Sequence, residues 1–401
     1  MQDKGLSEFK SLSGILQSNG STVPVNFAVR IDPSGEVEFD FGIIPLSQDT
    51  FFIKKNWHHD SPKLSSFSVS GQSEDGFEFK TDDLQFNSLK CESSKESGHL
   101  MMPTGRCSKA EFHSKPFESV PKPIILMYLK GFRNFGQLST KCSLGTIALD
   151  GISSILDTNT ITGRISIYSD KIPEDLSAWR MEADKLLEHV RRVMSFASAT
   201  VLQAPVIEFR ANDCVDVVVL SQTRQAPAHM NTFHYLNQQP IFDTAVKSFF
   251  RPPVKVNNLF FAIEWFAMDA TYNEVRLVNA MTVLENLVAS NLGDNDVMIR
   301  PLKEFEKTRT KLRQVIKKCV NKWSDEETDK AKEVVAELNE RLSDLNRRSI
   351  LQKIKILAAL WSVPLDGIGD DKIKSAKRAR DLIVHRGHYY NEEGEVIDDL
   401  G

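Results

Sequence analysis

The hydrophobic pattern of this chain changes period along its length, and a double proline marks the change. Up to about residue 170, apolar residues fall in short β-branched or aromatic runs; beyond Arg251-Pro252-Pro253 they recur at helical spacing. Two successive prolines halt a helix and hold the residue before them in extended backbone, so a boundary is expected there. A length of 401 residues suits two or three domains, each with its own core. The expected fold class is α+β and multidomain. A β-rich N-terminal module covers residues 1–170, a mixed α/β middle section covers 171–252 and can join the first, a helical bundle covers 254–391, and an acidic tail covers 392–401.

Within the first module, strands are expected at 23–31, 36–44, 67–70, 77–80, 124–129, 147–149 and 161–168, separated by Gly, Pro, Asp, Asn and Ser clusters. This pattern suits a sandwich or barrel. The stretch 91–117 is polar and reads as a long mobile loop. In the middle section, Pro173-Glu174 opens a helix to about 198 with Trp179, Leu186, Leu187, Val190, Val193 and Met194 on its apolar stripe. A hairpin then follows at 206–210 and 215–220 about Asn212-Asp213, with a short helix at 241–250. The last region reads as about five helices. The first runs from 259 to about 290, capped by Asn257 or Asn258 and bent near 269–273; the others span 301–319, 325–346, 349–362 and 370–386. Ser324-Asp325-Glu326-Glu327 is a helix-start signal.

Several function classes lack a sequence case. There is no Walker loop, no HExxH, no GxSxG and no zinc-type Cys/His spacing. Cys91, Cys107, Cys142, Cys214 and Cys319 are odd in number and scattered, which fits a reducing compartment. No apolar run is long enough for a membrane span and no signal segment opens the chain, so a cytoplasmic protein without membrane attachment is expected. No metal or cofactor is expected. His58-His59 reads as a surface loop rather than a metal site, and His189 as a structural residue inside a helix.

Net charge is −4, yet the distribution is uneven. From Arg251 onward there are 25 basic and 25 acidic residues, and five of those acids lie in the last ten positions, so the helical region without its tail carries +5. Its bases cluster at 303–322, 341–355 and 372–386. The first two clusters read as solvated helix faces. The third surrounds Arg380-Asp381-Leu382-Ile383-Val384-His385, near the end of the last helix, and there a phosphate-facing role is expected.

Arg and His are the minimum side-chain kit for cutting RNA without a metal: imidazole moves protons near neutral pH, and guanidinium holds a phosphate and its developing charge. Spacing alone is weak, because nine histidines and twenty arginines in 401 residues predict about 0.45 chance Arg-x4-His pairs. Arg224 and His229 form such a pair in a proline-containing loop. Arg380 and His385 instead lie on a helix, with Asp381 one turn before His385 and Gly387 as a stop. Glu285 is a lone acid in an apolar helix, either on the surface or paired with Arg276 or Arg380.

These features resemble the HEPN superfamily of helical RNA-associated domains. The likeness rests on Arg380-Asp381-x3-His385 with Ile383-Val384-His385-Arg386-Gly387, on a long first helix carrying Leu284-Glu285-Asn286-Leu287, and on a helical span of about 130 residues with the motif at its far end. Asp381 stands where many of these proteins carry Asn, an accepted variant. A β-rich opening with Ser13-Gly14-Ile15-Leu16, followed by a middle helix, looks like the bacterial anti-phage HEPN proteins of the ApeA type.

The resemblance implies a metal-independent endoribonuclease in anti-phage or toxin-like defence, acting as a homodimer through the helical domain, or as a higher oligomer, with two motifs facing one cleft. It implies His385 as general acid/base, Arg380 on the scissile phosphate, Asp381 orienting His385, Lys377, Arg378 and Arg386 on flanking phosphates, and Glu285 in support. Transfer RNA is a candidate substrate by likeness, and a phage-derived trigger a candidate partner of the N-terminal region. Residues five apart on a regular helix stand about 140° apart around its axis. Arg380 and His385 therefore converge only if the helix distorts or a second protomer supplies one of them. The alternatives are a non-catalytic module that binds RNA or protein, and a purely structural charge cluster in which Asp381 pairs with Arg378 or His385.

Overall fold

The computed structural model describes residues 9–386, except 19, 48–49, 51–52, 54–66, 95–97, 116–118, 131, 135, 153–158, 221–232, 234–236, 253–256, 267, 269–271 and 324–327; for 93–98, 321–323 and 328–331 it describes the backbone alone where it describes them. The chain divides into two compact units, Met1–Pro252 and Pro253–Gly401. His58-His59, the Arg224/His229 pair, the 324–327 helix start, Gly387 and the acidic tail lie outside the described residues.

Among the described residues of the first unit, alternation of apolar and polar residues builds a sheet of fourteen strands. Eight come first: β1 (Lys10–Ser18), β2 (Ser21–Ile31), β3 (Val37–Phe41), β4 (Ile44–Pro45), β5 (Phe67–Gln72), β6 (Glu78–Ser94), β7 (Gly98–Cys107) and β8 (Lys109–Ser114). The pairing order β6-β5-β1-β2-β3-β7 closes through β6–β7 into a six-stranded barrel. Inward residues fill it, with Phe27, Phe39, Phe41 and Phe79 meeting ring to ring at centroid distances of 5.3–6.2 Å. Gly14 permits the closest approach in the wall: a Cβ there would stand 2.0 Å from the Ser70 carbonyl oxygen.

The barrel joins the rest of the sheet through a single bent strand. β7 and β8 both run antiparallel to β6, with Gln85 opposite Arg106 and Lys80 opposite Glu111. They part at Ser108, where β7 turns to β3 and β8 to the far sheet. Between Val69↔Thr81 and Phe67↔Leu84, β6 carries one more residue than β5, a bulge that moves its inward set from Phe79 and Thr81 to Leu84. Asp83, in this bulge, accepts hydrogen bonds from the Ser108 and Lys109 amides at 3.0 and 3.2 Å, and from the Ser108 and Thr81 hydroxyls. Burial pushes its carboxyl up, but these hydrogen bonds outweigh it and hold the group below its ordinary value.

The open part of the sheet follows. It holds β9 (Val120–Lys130), β10 (Leu138–Cys142), β11 (Gly145–Gly151), β12 (Ile161–Tyr168), β13 (Gln203–Asn212) and β14 (Cys214–Leu220), in the order β10-β11-β12-β9-β13-β14-β8. Helix α1 (Leu176–Ala197) and helix α2 (Gln238–Phe250) pack with it in a second core, where Leu186, Leu187, Val190 and Met194 join Ile125, Met127, Ile165 and Ile167. Asp175 caps α1 through the Ala178 amide, and Trp179 Nε1 donates to the Leu144 carbonyl at 2.9 Å. His189 lies in α1 with Nε2 3.2 Å from Ser248 Oγ, its pKa lowered by burial, in keeping with a structural residue. The middle section is thus built into the first unit, because β13 pairs directly with β9.

The expected loop at 91–117 is instead mostly strand. Along β7 the inward residues are Met101, Pro103, Gly105 and Cys107, small or weakly apolar groups that hide the period of two. Strand β1 is concealed too, with Leu12, Gly14 and Leu16 inward and the apolar Ile15 outward, which breaks the period of two.

The second unit is helical: α3 (Leu259–Phe266), α4 (Asn273–Asn291), α5 (Asp294–Val297), α6 (Leu302–Trp323), α7 (Thr328–Arg341), a 3-10 turn at Leu342–Asn346, α8 (Ile350–Leu360) and α9 (Asp370–Arg386). The expected long first helix is two helices, because Tyr272 has extended backbone (φ −105°, ψ 134°) and starts α4 afresh. Asn258 Nδ2 donates to Ser290 Oγ at 2.7 Å, and Asn257 Nδ2 to the Ser290 carbonyl at 3.0 Å, tying the start of α3 to the end of α4. The core joins Ala262, Val283, Leu287, Val288, Leu292 and Leu357. Helix α9 packs on α4 and α8. No helix among the described residues is long and apolar enough to cross a membrane.

Candidate functional site

Helix α9 opens with Asp370 and Asp371 and closes with His385 and Arg386, matching acid to the positive end of its dipole and base to the negative end. Ala379 is buried, letting α9 lie close to its neighbours. Next to it, Arg380 faces α4. Its Nη2 donates to Glu285 Oε1 and its Nη1 to Asp381 Oδ1 at 3.0 Å, while its Nε is buried and unpaired among the described residues. Glu285 therefore pairs with one of the two bases the sequence offered, across 95 residues of chain.

Asp381 also accepts from Lys377 Nζ at 2.6 Å, one turn earlier. The Lys377 hydrogen bond, with the charges of Lys377, Arg380 and His385, outweighs partial burial and holds the Asp381 carboxyl below its ordinary value. The site acid is thus bound to Lys377 and Arg380. It shares a face with His385 without a hydrogen bond to it.

His385 is exposed in the last turn, and α9 stays helical through it. Arg380 turns inward with its side chain 20% exposed, so the two motif residues of one chain do not converge. The outer face of α9 forms a groove of about 530 Å³ lined by Lys374, Lys377, Arg378, His385 and Arg386, with Asp381 as its acid. Lys374 is 3.5 Å from Asp371. Arg378 and Arg386 have no acidic partner among the described residues. Chemically, this face offers a row of cations ending in an imidazole, an arrangement suited to a phosphate backbone and to proton transfer beside it.

A second polar cluster, which sequence reading missed, lies in the first unit. Cys214, Asp216 and His113 meet there, with Arg180 Nη1 donating to Asp216 Oδ2 at 2.8 Å. Burial, then Asp216, push the Cys214 thiol up to about 11, so it is not a poised nucleophile. Burial pushes Asp216 up, but its hydrogen bonds with His113, Cys214 and Arg180 hold it below its ordinary value. His113 is about a hundred positions from Cys214 and Asp216 in the chain, and no local spacing brings it to them.

Comparison with known proteins finds no family model, no curated protein and no solved structure that matches this chain.

Proposed function

We propose that this chain is a metal-independent endoribonuclease of HEPN type that cleaves cellular RNA, transfer RNA among the candidates, in anti-phage or toxin-like defence in the cytoplasm. The observation that carries the reading is the outer face of α9, where Arg378 and Arg386, without an acidic partner among the described residues, line one groove with an exposed His385. In this reading His385 takes the proton of a ribose 2′-hydroxyl, and the freed oxygen attacks the adjacent phosphorus. The 5′-oxygen leaves with a proton from the His385 of a second protomer. Products are a 2′,3′-cyclic phosphate and a 5′-hydroxyl. Lys377, Arg378 and Arg386 hold flanking phosphates. Arg380 offers its guanidinium to the scissile phosphate across a homodimer cleft, with Glu285 and Asp381 setting its orientation. The β-rich unit senses a phage-derived trigger and restrains the helical unit.

The test is RNA cleavage in EDTA by the full chain and by His385→Ala, on total RNA and purified transfer RNA. Cleavage leaving cyclic-phosphate ends, lost in a folded and still dimeric variant, supports the reading. Cleavage unchanged in the variant refutes it. The two carboxylates on Arg380 favour a second reading, a helical module that binds RNA without cutting it. RNA binding with equal affinity by both proteins and cleavage by neither would select that reading.

A further inference from the structure

Three side chains of different donor chemistry converge where the barrel's shared strand meets the open sheet. Asp216 on β14 stands directly opposite His113 on β8, and Cys214 lies two residues before Asp216, on the same face. His113 Nδ1 is 2.8 Å from Asp216 Oδ1, Cys214 Sγ is 3.2 Å from that same oxygen, and Sγ is 3.7 Å from Nδ1. These three atoms form a small triangle, held by two paired strands rather than by loops.

The triangle is close in size to one face of a zinc tetrahedron. Zinc binds imidazole nitrogen and carboxylate oxygen at about 2.0–2.2 Å and thiolate at about 2.3 Å, which separates tetrahedral donors by about 3.3–3.6 Å. The edges of 3.2 and 3.7 Å lie just outside that range on either side, and the nitrogen–oxygen edge, 2.8 Å, is at hydrogen-bond length and must lengthen when an ion takes the place of that bond. The donor set of one sulfur, one nitrogen and one oxygen suits zinc, whereas calcium and magnesium prefer oxygens alone.

The surroundings support such a site. Arg180 holds Asp216 through Oδ2, so that Oδ1, the atom in the triangle, faces His113 and Cys214. The guanidinium is itself fixed over the Phe209 ring at 4.1 Å. A groove of about 720 Å³ opens beside His113 and Asp216 and leaves room for a fourth ligand. Glu78 lies directly opposite His113 on its other side and also lines that groove.

We propose that Cys214 Sγ, His113 Nδ1 and Asp216 Oδ1 bind one zinc ion, with the fourth corner toward the groove. A thiolate and a carboxylate balance the charge of the ion. Bound there, zinc clips β8 to β14 and so fastens the barrel to the open sheet. The site lies in the first unit and stands apart from the ribonuclease reading, since metal binding reports on one and RNA cleavage on the other.

The test uses the full chain, stripped with a chelator, dialysed, and titrated with zinc chloride against a chromophoric chelator. One zinc per chain is expected, together with a higher melting temperature. Cobalt in its place should give a near-ultraviolet thiolate-to-metal charge-transfer band. Cys214→Ser should abolish that band, and His113→Gln should weaken zinc binding by about 100-fold. Cys91→Ser and Cys319→Ser, at exposed cysteines elsewhere, should change neither reading. Circular dichroism of the stripped variants separates a lost ligand from a lost fold. No stoichiometric zinc in the wild type, or zinc binding and a cobalt spectrum unaltered in a folded Cys214→Ser, overturns the proposal.

Discussion

Replacing Glu285 with alanine leaves Arg380 with one carboxylate instead of two. The Arg380 side chain is 20% exposed and that of Glu285 38%. An exposed ion pair contributes about 0–1 kcal/mol, whereas removing one partner of a buried pair costs about 3–5 kcal/mol. Asp381 remains on Nη1 at 3.0 Å, so the guanidinium keeps a partner and the cost falls between these limits. We expect about 1.5 kcal/mol, which for a unit of this size lowers its melting temperature by about 3–6 °C. Calorimetry on the full chain reads that shift in the transition of the helical unit. The decisive form is a double-mutant cycle with Arg380→Met. If the pair is what Glu285 contributes, Glu285→Ala costs close to nothing once Arg380 is gone, giving a coupling of about 1 kcal/mol or more. Equal costs in both backgrounds would refute the pairing as the source of the effect.

Two further perturbations probe the barrel. Gly14→Ala places a methyl 2.0 Å from the Ser70 carbonyl, against backbone that cannot rotate away. It should cost about 3 kcal/mol or more, seen as a lower urea midpoint of the first unit; a variant as stable as wild type would show that the wall yields at β1–β5. Asp83→Asn tests the bend at Ser108 through pH. The folded carboxyl lies below its ordinary value of 3.8, so its stabilisation is full above that pH and is lost as pH falls through the lower folded value. The urea-midpoint gap between wild type and Asp83→Asn should therefore be widest near pH 7 and shrink below 3.8, and a constant gap across that window would contradict the assignment.

Local chemistry was legible where the chain announces itself locally. Helix α9, its acidic start and its basic end could be read from spacing alone, as could the hairpin about Asn212 and the run of apolar residues along α1. Glu285 stood out as a lone acid in an apolar helix, and its partner proved to be one of two arginines the sequence offered. Strand β7 escaped because Pro103, Gly105 and Cys107 bury well inside a barrel yet score as polar or neutral in a sequence window. The choice between sandwich and barrel stayed open for a different reason. It depends on β6 meeting both β5 and β7 along one long strand, and on a bulge whose only local sign is the pair Asp82-Asp83. The Cys214, Asp216 and His113 cluster is likewise a product of register, set by which residue of β14 faces which residue of β8.

The bent β7–β8 strand has a consequence for how this sheet meets other chains. Unpaired strand margins invite pairing with a second molecule, and a fourteen-stranded sheet would ordinarily have long ones. Among the described residues the pairing order begins at β10, five residues long, and ends at β4, which has two residues and ends in Pro45. Lys141 sits in the first and the missing amide of Pro45 blunts the second. Intermolecular strand addition thus has little purchase at either end of the pairing order, and opening the barrel at β6–β7 would create a longer template for it.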